Sequence, residues 1–145
     1  RALSEGKVQQ LPVKQHRTKT TSRYFNYIYV RMGAHTLIHK RTEDDIWKNL
    51  FELPLVETEK DLSEEEFLAC PQFHALFAEG EVRMVRTLLR GVKHVLSHRV
   101  IYTNFYEVTL PDNSSSFSSY QRVAVEDLGR YAVPRLIHAF LEKYV

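Results

Sequence analysis

The apolar residues of the chain change their spacing from segment to segment, and each change marks an element. Over residues 22–32, "SRYFNYIYVRM", Tyr24, Asn26, Ile28 and Val30 alternate with Phe25, Tyr27 and Tyr29. Period-two spacing of β-branched and aromatic residues predicts a strand. Gly33-Ala34 turns the chain, and residues 35–41, "HTLIHKR", make a second strand and so a hairpin. After a polar patch from Thr42 to Asp45, "IWKNLFELPLVET" predicts a third extended stretch containing Trp47. Pro54 argues against a regular central strand there, because it cannot donate to a ladder.

Ser63 with Glu66 three residues later is a capping box, which opens a short helix in "DLSEEEFLAC". Pro71 ends it and begins another short helical piece. Residues 82–90, "VRMVRTLLR", fit two readings. Val82, Val85, Leu88 and Leu89 suit a helix face, whereas the β-branched content and the following Gly91 suit a strand. "VKHVLSH" (92–98) and "RVIYTNFYEVTL" (99–110) read as two strands joined at a Ser97-His98 corner. Residues 111–120 form a polar loop, and "QRVAVED" is the last strand. "PRLIHAFLEKYV" is a helix with Pro134 in its first turn and Leu136, Ile137, Phe140, Leu141 and Tyr144 on one apolar face. The class is α+β: a mixed, largely antiparallel β-sheet flanked by helices. Residues 1–20 show little apolar periodicity and read as a linker, with one domain over 21–145.

A chain of 145 residues, 43% hydrophobic and 12% aromatic, can bury a core and is not of the disordered class. No apolar run approaches a membrane span, and the N-terminal residues lack a signal-peptide core. Cys70 is the single cysteine, so an internal disulfide framework and a multi-cysteine zinc cluster are excluded. An intracellular, cytoplasmic setting is expected. Charge is unevenly spread: residues 1–41 carry nine Lys/Arg and one Glu, 42–82 two Lys/Arg and twelve Asp/Glu, and 83–104 five Lys/Arg and no acid. Two basic blocks around an acidic one suit a molecule with one positive face, which attracts phosphate backbones.

Several chemistries find no support. His94 and His98 share a face only on a helix, and their β-branched neighbours predict strands, so no metal site is read there. Ser97 beside His98 is not a triad, because a fold and not adjacency brings nucleophile and base together. Glu64, Glu65 and Glu66 are successive residues of a helix and point apart, so they suit a solvated helix start better than a Mg²⁺ site. The corner itself is different. Lys93 and Arg99 can bind phosphates, Ser97 can donate or accept at a base edge, and Leu96 can wedge against a base stack.

Three segments carry a resemblance: "LPVKQHRTKTTSRYFNYIYV", "LIHKRTEDDIWKNLFELPLVE" and "HVLSHRVIYTNFYEV". In this order they resemble the C-terminal domain of A/G-specific adenine DNA glycosylases of the MutY type. The resemblance implies a Nudix-like fold that reads 8-oxoguanine opposite the adenine to be removed. It places Leu96 where the family has an intercalating Phe, Ser97 at the lesion-contacting Ser and His98 at the following His. Arg17, Lys19 and Arg23 join Lys93 and Arg99 as candidate phosphate contacts. Trp47, Phe51 and Pro54 match the family as core or loop architecture.

The resemblance also implies that catalytic carboxylates and a 4Fe-4S cluster belong to an N-terminal domain preceding this chain. The expected partners are that domain and double-stranded DNA carrying 8-oxoguanine opposite adenine. No glycosidic chemistry and no cofactor are expected in the chain itself. A Nudix hydrolase would carry Gly-Gly after the proline and an Arg-Glu-x-x-Glu-Glu helix; here Leu55-Val56-Glu57 follows Pro54, and "SEEEF" lacks the Arg-Glu pair. A stand-alone hydrolase of oxidised nucleotides and a protein-interaction module are the alternatives.

Overall fold

The computed structural model describes residues 21–117 and 119–145. The expected residue 1–20 linker, with Arg17 and Lys19, lies outside the described residues. Among the described residues, seven strands run in the order β1 (Thr21–Arg31), β2 (His35–Lys40), β3 (Phe51–Glu52), β4 (Leu55–Thr58), β5 (Met84–Leu96), β6 (Arg99–Thr109) and β7 (Gln121–Ala124). Helices α1 (Glu64–Ala69) and α2 (Pro71–His74) lie between β4 and β5; a 3-10 helix (Val125–Arg130) and α3 (Arg135–Tyr144) close the chain.

There are two sheets rather than one. The larger has the order β4-β1-β6-β5 and the smaller β3-β2-β7. All pairings are antiparallel except β1 with β6, which run parallel from Thr21↔Arg99 to Arg31↔Thr109. This central pair is covered on both sides. Phe25, Tyr27, Tyr29, Ile101 and Phe105 face α3 and the smaller sheet. Ile28, Val30, Tyr106 and Val108 face Phe67 of α1 and Phe73 of α2. Strands covered on both faces need apolar side chains in both phases, which is why β1 is apolar at nearly every position.

Aromatic stacking fixes both layers. Tyr27 stacks on Phe105 at 5.7 Å, Phe105 on Phe140 of α3 at 4.1 Å and 5°, and Phe67 on Tyr106 at 4.6 Å. Burying each such ring contributes about 1.5–3 kcal/mol. In α3, Leu136, Ile137 and Phe140 are buried, and Pro134 sits at the cap, one residue before the first turn. The α1 capping box forms as the spacing predicts: Glu66 N donates to Ser63 Oγ at 3.1 Å, and Ser63 N to Glu66 Oε1 at 2.9 Å.

One open segment resolves to a strand and another differs from expectation. Of residues 82–90, which fit either a helix or a strand, Met84 onward belongs to β5. Its pairing with β6 shifts register between Thr87 and Leu89 and again between Leu89 and Val92, and Gly91 adopts φ 71°. A bulge switches which face a strand presents. Val85 therefore packs on the layer with α1, while Leu88, Leu89, Val92 and Leu96 pack on the layer with α3. The helix-like spacing is the trace of these bulges. The stretch around Trp47 is a loop followed by two short strands in different sheets. Trp47 and Asn49 take φ 59° and 74°, and Asn49 N and Arg41 N close the loop onto Arg41 O and Leu50 O.

Candidate nucleic-acid interface

The corner between β5 and β6 is a two-residue hairpin loop. Leu96 pairs with Arg99 as the last ladder rung, leaving Ser97 and His98 at the tip. Ser97 has φ 34°, the positive φ that two-residue hairpin turns place at their first loop position. For a residue with a Cβ this costs about 1–2 kcal/mol. The tip is held from the side as well: Thr21 N donates to His98 O at 3.1 Å, where β1 begins beside β6.

Ser97, His98, Lys93 and Arg99 are exposed. Leu96 is half-buried and packs inward against the layer with α3. The apolar side chain that projects to solvent beside the tip is Val95, 61% exposed. His94 lies on the inward side of β5, its ring 6.0 Å from that of Trp47. His94 is thus half-buried beside Trp47, whereas His98 is exposed at the tip. Among the described residues, no group of three or more His, Cys, Asp or Glu side chains is arranged to hold a metal.

Of the three arginines expected at phosphates, the two among the described residues, Arg23 and Arg99, are engaged within the fold. Arg23 donates to Asp45 Oδ1 and Oδ2, both at 2.9 Å, and to Glu57 Oε1 and Oε2, both at 2.8 Å. Hydrogen bonds to these two carboxylates hold its pKa above the ordinary arginine value. Arg99 is freer, with its Nη1 3.5 Å from Asp45 Oδ1. Asp45 also accepts from Arg41 Nη2 at 2.9 Å and from the backbone N–H of Ile46 at 2.7 Å. Its pKa is lowered to about 2, first by the hydrogen bond from Arg23, with partial burial opposing.

Behind Asp45 the chain of charges continues into a cavity of about 300 Å³ bordered by His39, Arg41, Glu52, Glu57 and Tyr120. Glu52 is only 2% exposed. It accepts from Arg41 Nη1 at 3.0 Å on both oxygens and from Tyr27 OH at 2.7 Å. His39 Nε2 lies 2.9 Å from its Oε2 without making a hydrogen bond. A buried carboxylate survives only with such partners. Sequence reasoning did not single out Asp45, Arg41, Glu52 or His39. The available signal was Glu52 itself, a charged residue inside the apolar run "LFELPL".

Comparison with known proteins follows the same architecture. The NUDIX domain profile matches residues 26–143. The chain belongs to the NUDIX domain family. Among solved structures it is similar to the C-terminal domain of mouse MUTYH, crystallised in complex with human PCNA. The TM-score is 0.63 at 15% identity, covering 84% of this chain and 86% of that one. It is also similar to the MutT protein from Methanosarcina mazei Go1 (TM-score 0.56, 17% identity, 86% and 93% covered). The E. coli ORF135 protein gives a TM-score of 0.55 at 14% identity, with 85% and 88% covered. At such identities the likeness establishes the fold. No curated protein matches the chain.

Hydrolysis by a NUDIX domain calls for acidic side chains converging on a divalent cation, and among the described residues no three such side chains converge. Strand β4 follows Pro54 directly, and helix α1, which comes after it, has six residues. Of its three glutamates, Glu66 folds back onto the Ser63 N–H to cap the helix. Among the described residues, no helix is long and apolar enough to cross a membrane.

Proposed function

We propose that this NUDIX domain is a DNA lesion reader, the C-terminal recognition domain of an adenine DNA glycosylase that meets 8-oxoguanine opposite adenine. The observation that carries the reading is the β5–β6 tip. An exposed Ser97 is held at positive φ between Leu96 and His98, with Lys93 and Arg99 on either side. The likeness to the MUTYH C-terminal domain supports the same reading.

The chemistry follows from the lesion. Oxidation of guanine adds a carbonyl at position eight and places a hydrogen on N7, turning an acceptor into a donor. A serine hydroxyl serves either role, so Ser97 discriminates only if its oxygen is held facing that edge. The two-residue loop supplies this constraint, because the Leu96–Arg99 rung and the Thr21–His98 bond fix the turn on both sides. His98 lies at the same edge, Leu96 anchors the tip from the inner layer, and Lys93 and Arg99 lie against phosphates. Arg23 acts through Asp45, setting the loop that contacts Arg99. Base removal and the 4Fe-4S cluster belong to a separate catalytic domain, which is the partner within the parent protein. A protein partner is a further expectation, since the MUTYH domain was crystallised with PCNA.

The test is an amide-resolved NMR titration of the chain with a duplex carrying 8-oxoguanine opposite adenine. Shifts concentrated at residues 93–99 are expected. Shifts confined to the opposite end of the sheet would overturn the assignment. The second reading, a hydrolase of oxidised nucleotides, is favoured by the charged cavity at Arg41 and Glu52. Release of pyrophosphate from 8-oxo-dGTP with Mg²⁺ would establish it.

A further inference from the structure

The larger sheet is covered by α1 and α2 over only part of its outer face. Toward the β5–β6 tip that face carries Ser22 and Tyr24 from β1, Val100 and Tyr102 from β6, and Lys93 and Val95 from β5. Register places them in two rows. One runs Tyr24–Tyr102–Lys93 across the three strands, and the next, nearer the tip, runs Ser22–Val100–Val95. None of the six is fully buried, and Lys93, Val95 and Ser22 are exposed.

Tyr24 and Tyr102 stack on one another with centroids 5.6 Å apart and planes 15° from parallel. Each ring thus supports the other and leaves one outer face. Lys93 stands directly across from Tyr102 on the edge strand, about 4.8 Å away in backbone spacing. Behind the rings, a ladder of amides closes the surface. Asn104 Nδ2 donates to Asn26 Oδ1 at 3.1 Å, and Gly91 N to Asn104 Oδ1 at 2.8 Å. Gly91 leaves open space where a side chain would stand.

We propose that this face is a second nucleic-acid contact, which takes an unpaired DNA base against the Tyr24–Tyr102 stack with Lys93 on its phosphate. The inference rests on the lesion-reader reading and extends it from the tip onto the sheet. A nucleotide offers a flat π-face and an anion about one strand spacing apart, and this face offers the complements of both. The six residues include one cation and no carboxylate, and Asp61, which accepts from Asn104 Nδ2 at 3.3 Å behind the rings, is itself paired with Arg90 at 3.8 Å. The face is continuous with the tip through Val95, which is 61% exposed and sits two residues before Ser97.

The test compares two DNAs on the whole chain: a fully paired duplex with 8-oxoguanine opposite adenine, and the same duplex with a two-nucleotide gap beside the lesion. Affinities are measured for the wild type, Tyr102→Phe and Tyr102→Leu. Phe keeps the stacking face, and Leu keeps apolar bulk without it. The proposal predicts tighter binding of the gapped duplex. That gain falls about fivefold or more in Tyr102→Leu and persists in Tyr102→Phe. If both DNAs bind with lesion preference but Tyr102→Leu leaves the gapped-duplex gain intact, the platform is refuted and the tip reading stands, leaving the face for a protein partner. If neither DNA binds even at low salt, both are refuted.

Discussion

The carboxylate of Asp45 lies 3.5 Å from the guanidinium of Arg99, so the loop after β2 grips the first residue beyond the Ser97-His98 turn. The same carboxylate takes both arms of Arg23 and one of Arg41. One acidic side chain thus ties the end of β2, the start of β1 and the hairpin tip into a single rigid unit. Asp45→Ala would leave three cations without their shared partner. We expect a loss of about 1–3 kcal/mol of stability in urea unfolding, together with reduced preference for the oxidised duplex. Unchanged preference at reduced stability would separate the brace from recognition.

Acid should loosen this unit before it unfolds the core. The Asp45 pKa is lowered from 3.8 to about 2 in the fold. A depressed carboxylate stabilises the protein fully above its unfolded value and loses that contribution as pH falls through its folded value. The Asp45 contribution is therefore complete above about pH 4 and fades toward pH 2. In thermal melts across this range, Asp45→Asn should lose less stability than the wild type. Parallel curves for the two proteins would contradict the assignment.

Glu52 is the more costly position. It is buried, and Arg41, Tyr27 and His39 all turn to it. Glu52→Ala leaves the Nη1 arm of Arg41, itself mostly covered, without its acceptor and Arg41 with Asp45 as its remaining carboxylate. Removing one partner of a buried pair costs about 3–5 kcal/mol, so the variant should unfold at markedly lower urea.

Phe140→Ala tests the packing of α3. The ring is stacked between Phe105 and Tyr144 at 4.1 and 5.2 Å. A loss of about 3–5 kcal/mol is expected from the cavity left behind. A loss below 1 kcal/mol would mean that α3 contributes little to the layer it covers.

Lys93 and Ser97 should separate attraction from recognition. Lys93→Ala is expected to weaken binding to oxidised and plain duplexes alike. It should also reduce the slope of log affinity against log salt by about one. A change confined to the oxidised duplex would make Lys93 a specificity contact instead.

Local chemistry was legible in the sequence, and long-range placement was not. Ser63 and Glu66 declare their capping box within four residues, and the alternation of Tyr24 to Val30 declares β1. The parallel pairing of β1 with β6 joins residues 78 apart, for which no short-range signal exists. It therefore took the structure to bring Tyr24 beside Tyr102 and Arg23 beside the tip. The bulges near Leu88 and Gly91 hid a strand behind helical spacing. Leu96 reads in sequence as a projecting wedge, but strand parity turns it inward and Val95 outward. Arg23 reads as a free cation in a basic block, yet the acidic block supplies Asp45 and Glu57 to hold it. Patterns of charge along a chain say which partners exist, and only the fold says which of them meet.

The central claim is that Ser97 reads the oxidised base. The decisive measurement is the ratio of affinities for two duplexes identical except for 8-oxoguanine or guanine opposite adenine, in the wild type and in Ser97→Ala, at several salt concentrations. The account predicts a ratio above one that survives rising salt in the wild type and collapses toward one in Ser97→Ala, with binding to the plain duplex little changed. A ratio unaffected by Ser97→Ala would contradict it.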